Sequence, residues 1–264
     1  NIIDNLEKSS YYQYHNKNIY NGLYLKNIIK KYSFENTNSE CFKYINGNVL
    51  DLGCGYKQNY LPNQSLNKFN KNFTFLDNDI SIILDKLNKN NTNQNHSQNL
   101  NQNMNQNLNT IKYGLYDFTL NESQQHEHFG EIYNYCNSSI FDNYDTIIML
   151  NTIHNGFPNY ENIKNNLNNF SKVNTNIIIR YLDRDLLQTT FENKNNETNI
   201  DLNNFGFIKK YNDKSKVSVY FNWCHNKQNN EYLVNKTDLL NLFENYKIVY
   251  EEEKIINNDL PNIE

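Results

Sequence analysis

The chain contains no alanine, and only 3 of its 264 residues are proline and 8 glycine. No apolar run approaches the roughly 18 residues of a membrane-spanning helix, and no signal peptide is evident. An intracellular protein of the nucleus or cytoplasm is therefore expected, with no membrane partner. The four cysteines, Cys41, Cys54, Cys136 and Cys224, form neither a C-x-x-C pair nor a metal-ligand spacing, so no metal site is expected and a reducing compartment suits the chain. Positive charge is also short. At net charge -4 and pI near 5.9 there is no overall basic field to gather long nucleic acid, and DNA is not an expected partner. The first residue is Asn rather than Met, which reads as a fragment or a processed chain.

What fills the gap is asparagine, about a fifth of all residues, a bias beyond any structural need that an AT-rich coding sequence would produce. The 21 Tyr and 15 Phe supply core volume that small apolar residues do not. The length suits a single domain over 1–264 with an insertion.

The stretch that organises the rest is Asn48-Val49-Leu50-Asp51-Leu52-Gly53-Cys54-Gly55. Apolar residues followed by Gly-x-Gly read as a buried parallel strand entering a tight turn, where the missing Cβ lets a ligand approach the backbone. A dinucleotide fingerprint needs a third glycine, and Tyr56-Lys57-Gln58 stands there instead. A second apolar strand, Phe73-Thr74-Phe75-Leu76-Asp77, ends in a carboxylate 24 residues after Gly53, close to the spacing at which such folds hold a ribose. Asp77 has two readings: a bidentate acceptor for ribose hydroxyls, or the opening of an Asp77-Asn78-Asp79 turn that caps the next helix.

In chain order, a helical stretch over 9–32 precedes the first strand and carries Lys26. A helix is predicted over Ile80–Leu87, and the Asn/Gln-rich residues 88–109 read as a flexible spacer, with too little apolar surface to offset the entropy of ordering. Ile111–Tyr116 reads as strand three, running into Asp117-Phe118, where the acid could accept from an adenine amino group. Tyr144–Leu150 is the clearest buried strand, followed by the loop Asn151 to Pro158 at the ligand edge of such a sheet. A helix over Tyr160–Phe170 and a strand over Asn176–Tyr181 complete a β-α alternation that implies a mostly parallel sheet flanked by helices. The last third is predicted to form a hairpin within 216–235, a helix over Lys236–Phe243 and a strand over Tyr246–Glu251.

Taken together, these motifs resemble the mRNA cap guanine-N7 methyltransferases, which have the Rossmann-like class I methyltransferase fold. Asp51-Leu52-Gly53-Cys54-Gly55 is shared with many methyltransferases. The more specific elements are Ile153-His154-x-x-Phe157 after strand four and Glu231-Tyr232-Leu233-Val234 in the late hairpin. The resemblance covers nearly the whole chain outside the Asn-rich stretch. It implies S-adenosylmethionine as cofactor and a 5′-capped RNA, GpppN-ended, as acceptor, with other capping domains or subunits as further partners. By the same resemblance Lys26 would meet the methionine carboxylate, Gly53 the cofactor backbone, Asp77 the ribose and Asp117 the adenine, with Leu150 and Asn155 lining the cofactor. Lys57, His154 and Glu231 would hold the cap, the last because a carboxylate accepts from both N1–H and the 2-amino group of guanine. No acid, base or nucleophile is implied.

Three departures stand out. Tyr56-Lys57-Gln58-Asn59 replaces the family's Lys-Gly-Gly-Asp, Gly22-Leu23 replaces an Asn pair before the lysine, and Asn155 replaces a Tyr. A closing strand expected after position 264 is not found, in line with a partial chain. The competing readings are a catalytically silent subunit of the same fold that steadies a capping partner, and a methyltransferase for another acceptor.

Overall fold

The computed structural model describes residues 43–55, 72–97, 111–130, 143–150, 152–181, 183–193, 199–201, 206–210, 216–221 and 228–251. The expected helix over 9–32 with Lys26, and Lys57, lie outside them. The chain divides into two compact units, residues 1–150 with 161–179, and residues 151–160 with 180–264.

The first unit is built on five strands: β1 (Val49–Leu52), β2 (Phe73–Asp77), β3 (Ile111–Leu115), β4 (Tyr144–Leu150) and β5 (Ser171–Arg180). Their order in the sheet is β3-β2-β1-β4-β5, and β1 pairs in parallel with both β2 and β4, as β2 does with β3. This is the open Rossmann-like order, whose carboxyl edge forms the ligand side. Every residue of β1 and β2 is buried, as in strands covered on both faces, which explains why apolar residues stand on both faces of each strand, with Asp51, Thr74 and Asp77 as the buried polar exceptions. Phe73, Phe75 and Tyr113 stack across β2 and β3 at ring separations of 5.9 and 5.4 Å. Helices α1 (Ile80–Ser97), α2 (Glu122–Phe129) and α3 (Tyr160–Phe170) alternate with the strands. Ile163, Leu167 and Phe170 form the buried stripe of α3 at helical spacing.

Two boundaries differ from the sequence reading. Helix α1 runs on to Ser97, so residues 88–97 are helical rather than spacer, and 98–109 lie outside the described residues. An anchored helix extends at the cost of one residue's freedom per new hydrogen bond, so a polar tail can follow a packed first half. Strand β5 begins at Ser171, not Asn176. Its first half is exposed, with Val173 at 87%, so no alternation marks it, and Asn174 takes a left-handed φ of 69° that Asn tolerates.

The second unit holds an antiparallel sheet in the order β6 (Asn199–Asp201), β7 (Gly206–Lys210), β8 (Lys216–Phe221), β9 (Gln228–Tyr232). The expected hairpin is β8–β9, in register from Lys216↔Tyr232 to Tyr220↔Gln228, but it belongs to a four-stranded sheet rather than standing alone. A 3-10 turn (Ile153–Asn159), α4 (Arg184–Asn193) and α5 (Lys236–Leu242) complete the unit. Asn235 and Asp238 form a reciprocal capping box at the start of α5. The strand expected over Tyr246–Glu251 does not form: these residues take no regular structure, and Ile248 and Val249 are 50% and 63% exposed. β propensity acts only where a neighbouring strand is present to pair, and among the described residues none pairs with this one.

Candidate functional site

The glycine turn is tied to the end of β2 by three backbone donors. Gly53 N–H and Cys54 N–H both donate to Leu76 O, at 2.8 and 3.1 Å, and Gly55 N–H donates to Asp77 Oδ2 at 2.9 Å. Gly53 and Gly55 have φ of 70° and 58°, a region that strains any residue with a Cβ. Among the described residues a Cβ at Gly55 would meet nothing within 4 Å, which leaves room for a ligand beside that glycine.

Asp77 combines features of both readings. Its Oδ1 accepts from Asp79 N–H at 3.0 Å, steadying the turn, while Asp79 Oδ1 reaches the helix start at Ser81 N–H and Oγ, at 2.8 and 2.7 Å. Each Asp77 oxygen accepts one of these backbone bonds, which leaves lone pairs of the about four on a carboxylate for other donors. Burial raises the Asp77 pKa, and the two backbone N–H groups pull against that rise.

Beside it, Asp117 spends Oδ1 on its own turn, accepting from Thr119 N–H and Oγ1 at 2.9 and 2.7 Å. Oδ2 accepts from Asn78 at 3.3 Å at an exposed edge. The loop from Asp117 to Leu120 is clamped by two buried amides that the sequence reading missed. Gln125, fully buried on α2, takes Asp117 N–H at 3.0 Å and donates to Asp117 O and Leu120 O. Asn166 on α3 donates to Phe118 O and Leu120 O at 2.8 and 2.9 Å. In a chain so rich in Asn and Gln, neither residue carried a signal. The only available hint was position: Asn166 falls within the apolar stripe of its helix.

Cys54 is a free, buried thiol, pushed well above its usual pKa by burial first and by Asp51 next. It packs in the cluster of Val49, Phe73, Phe75, Ile82, Ile148 and Ile178, against which Leu150 is partly buried.

In the second unit the structure brings together two residues 77 positions apart. His154 Nε2 lies 3.6 Å from Glu231 Oε2. His154 sits in the 3-10 turn behind the fully buried Ile153, and Glu231 is fixed on β9 opposite Val217 of β8. Burial lowers the His154 pKa and raises that of Glu231. Asn155 is exposed and donates its N–H to Thr152 O at 3.0 Å.

A parallel sheet in this order, with a glycine turn and a carboxylate at the ends of its first two strands, defines a Rossmann-like α/β protein. No family model matches the chain, and no curated protein matches it. Among solved structures, it is similar to the plantazolicin methyltransferase BpumL in complex with SAH, at 14% identity and a TM-score of 0.32, over 72% of this chain and 61% of that one. The plantazolicin methyltransferase BamL in complex with a triazolic desmethylPZN analog and SAH is similar at 15% identity and a TM-score of 0.32, over 72% and 59%. The matches span about three-fifths of those chains. At such scores the fold statement rests on the strand order itself.

Proposed function

We propose that the chain is an S-adenosylmethionine-dependent methyltransferase acting on guanine N7 of the 5′ cap of RNA. The observation that carries the reading is Asp77 at the end of β2, bonded to Gly55, beside which the described residues leave open space. That donor and acceptor set fits an adenosine ribose. Asp77 would take the ribose hydroxyls, the turn would lie along the methionine portion, and Asp117 Oδ2 would meet the adenine amino group. Lys26, Leu150 and Asn155 are proposed for the rest of the cofactor, and Lys57 for the cap phosphates. When bound, the cofactor supplies an electrophilic methyl on a sulfonium sulfur.

The acceptor half draws support from the His154–Glu231 pair. Glu231 offers acceptors for guanine N1–H and the 2-amino group, a paired edge that adenine lacks. His154, held toward its neutral form by burial, would orient that carboxylate through Nε2–H. Guanine N7 carries its own lone pair, so the chain needs no general base. Its contribution is alignment of N7 with the methyl group, worth up to roughly 7–11 kcal/mol when the geometry is near attack.

The test is Glu231→Gln. It puts a donor against guanine's donors, so S-adenosylmethionine binding should be unchanged while methyl transfer to GpppN-ended RNA falls by several kcal/mol in kcat/KM, on the order of 100-fold or more. Near-wild-type cap methylation by this variant would point to a different acceptor.

A further inference from the structure

Beneath the glycine turn lies a buried cation that has no role in the reading so far. β1 and β2 pair with Asp51 opposite Phe75, and Phe75 stands two residues before Asp77 on the same face of β2. Lys86, on α1, sets its Nζ 5.6 Å from the centre of the Phe75 ring. Backbone to backbone, Asp51 lies one strand spacing from Phe75, about 5 Å, and Asp77 two residues along β2, about 6.6 Å. All three charged residues are buried: Lys86 is 4% exposed, Asp51 2% and Asp77 6%. A lysine is rarely buried this far unless anions and an aromatic face replace its lost hydration.

We propose that Lys86 is a positioning residue of the methyl-donor site: its ammonium, seated over Phe75 beside Asp51 and Asp77, keeps the Asp77 carboxylate charged and ready to accept the ribose hydroxyls. The proposal rests on the reading of Asp77 as the ribose-binding group. Lys86 acts on Asp77 alongside the backbone N–H groups of Asp79 and Gly55, which favour the same charged form. Burial and the like charge of Asp79 at the start of α1 both work against an ionised Asp77, and Lys86 opposes them. Asp51 from β1 and Cys54 from the turn add no positive charge, and Tyr113 from β3, its pKa pushed up to about 12, stays neutral. Removing the ammonium therefore raises Asp77 further, and ribose binding is lost as pH falls through that higher value.

The experiment is calorimetric titration of the full chain with S-adenosylmethionine across a pH series, in wild type, K86M, K86R, D77N and K86M/D77N. The expected result is that the pH at which affinity falls moves up in K86M, the direction for loss of an opposite charge, and returns toward wild type in K86R. In the D77N background K86M should change affinity less than about twofold, because the group it acts through is gone. An unmoved midpoint in K86M, or an equal loss in the D77N background, overturns the proposal. Should K86M not fold, K86Q replaces it. The Asp77 carboxyl is also titrated by NMR, without cofactor, in wild type and in whichever neutral variant folds. A higher midpoint in the neutral variant supports the proposal and an equal one overturns it. Wild-type protein that binds no cofactor at any pH refutes the ribose reading instead, a result the carboxyl titration distinguishes.

Discussion

At the scale of single residues, the chemistry turns on how burial sets charge. His154 and Glu231 are displaced in opposite directions by the same cause, loss of water. A histidine with a lowered folded pKa contributes stability that is in place above its unfolded value and is lost as pH falls through the folded one. A glutamate with a raised pKa does the reverse, contributing below its unfolded value and losing that contribution as pH rises. Near neutral pH the first effect leaves His154 uncharged. NMR titration of His154 should accordingly give a midpoint below the ordinary 6.5, and Glu231→Gln should lower it further by removing the adjacent anion. A midpoint at or above 6.5 would show that burial does not set the charge of His154, the Glu231 carboxylate outweighing it. Gly53, Asp77, His154 and Glu231 were legible because each follows an apolar strand or sits in a specific short motif. Lys86, Gln125 and Asn166 were not. Burial of a polar side chain is a property of the packed structure, and one more Lys, Gln or Asn in this composition announces nothing.

Elements were legible where a core specifies them. β1 and β2 fall within a residue of their expected bounds because short, mostly apolar segments mark strands buried on both faces, and α3 does because its apolar positions match the helical period. The failures share one cause: Ser171–Thr175 of β5, residues 88–97 of α1 and the irregular Tyr246–Glu251 owe their conformation to their surroundings rather than to their own pattern. The loop between β3 and α2 shows the consequence for function. Its Asp117 backbone is held by the Gln125 side chain, while its carboxylate is held by Thr119 and Asn78. Gln125→Leu keeps the volume and leaves the part-buried Asp117 N–H without that acceptor. Urea unfolding should show a loss of about 1–3 kcal/mol, the cost of an unmet buried polar group. A loss under about 0.5 kcal/mol would mean that water reaches the loop and that Asp117 is not clamped.

For the molecule as a whole, the parallel sheet was foreseeable from β-α alternation, and the antiparallel sheet of the second unit only in its β8–β9 hairpin. β6 is three residues long and β7 five, too short for alternation to declare itself. The carboxyl edge of β1 and β2 gathers the glycine turn, Asp77 and the Asp117 loop into one side of a Rossmann-like sheet. Among the described residues no helix is long and apolar enough to cross a membrane. The central claim is that this edge binds S-adenosylmethionine through Asp77. The direct measurement is calorimetry of wild type and Asp77→Ala with S-adenosylmethionine, with circular dichroism to establish that both are folded. One cofactor per chain is expected for the wild type, and a loss of roughly 1.5–3 kcal/mol for the variant, the range for a hydrogen bond to a charged group. Equal affinity in the two folded proteins, or no binding by the wild type, would contradict it.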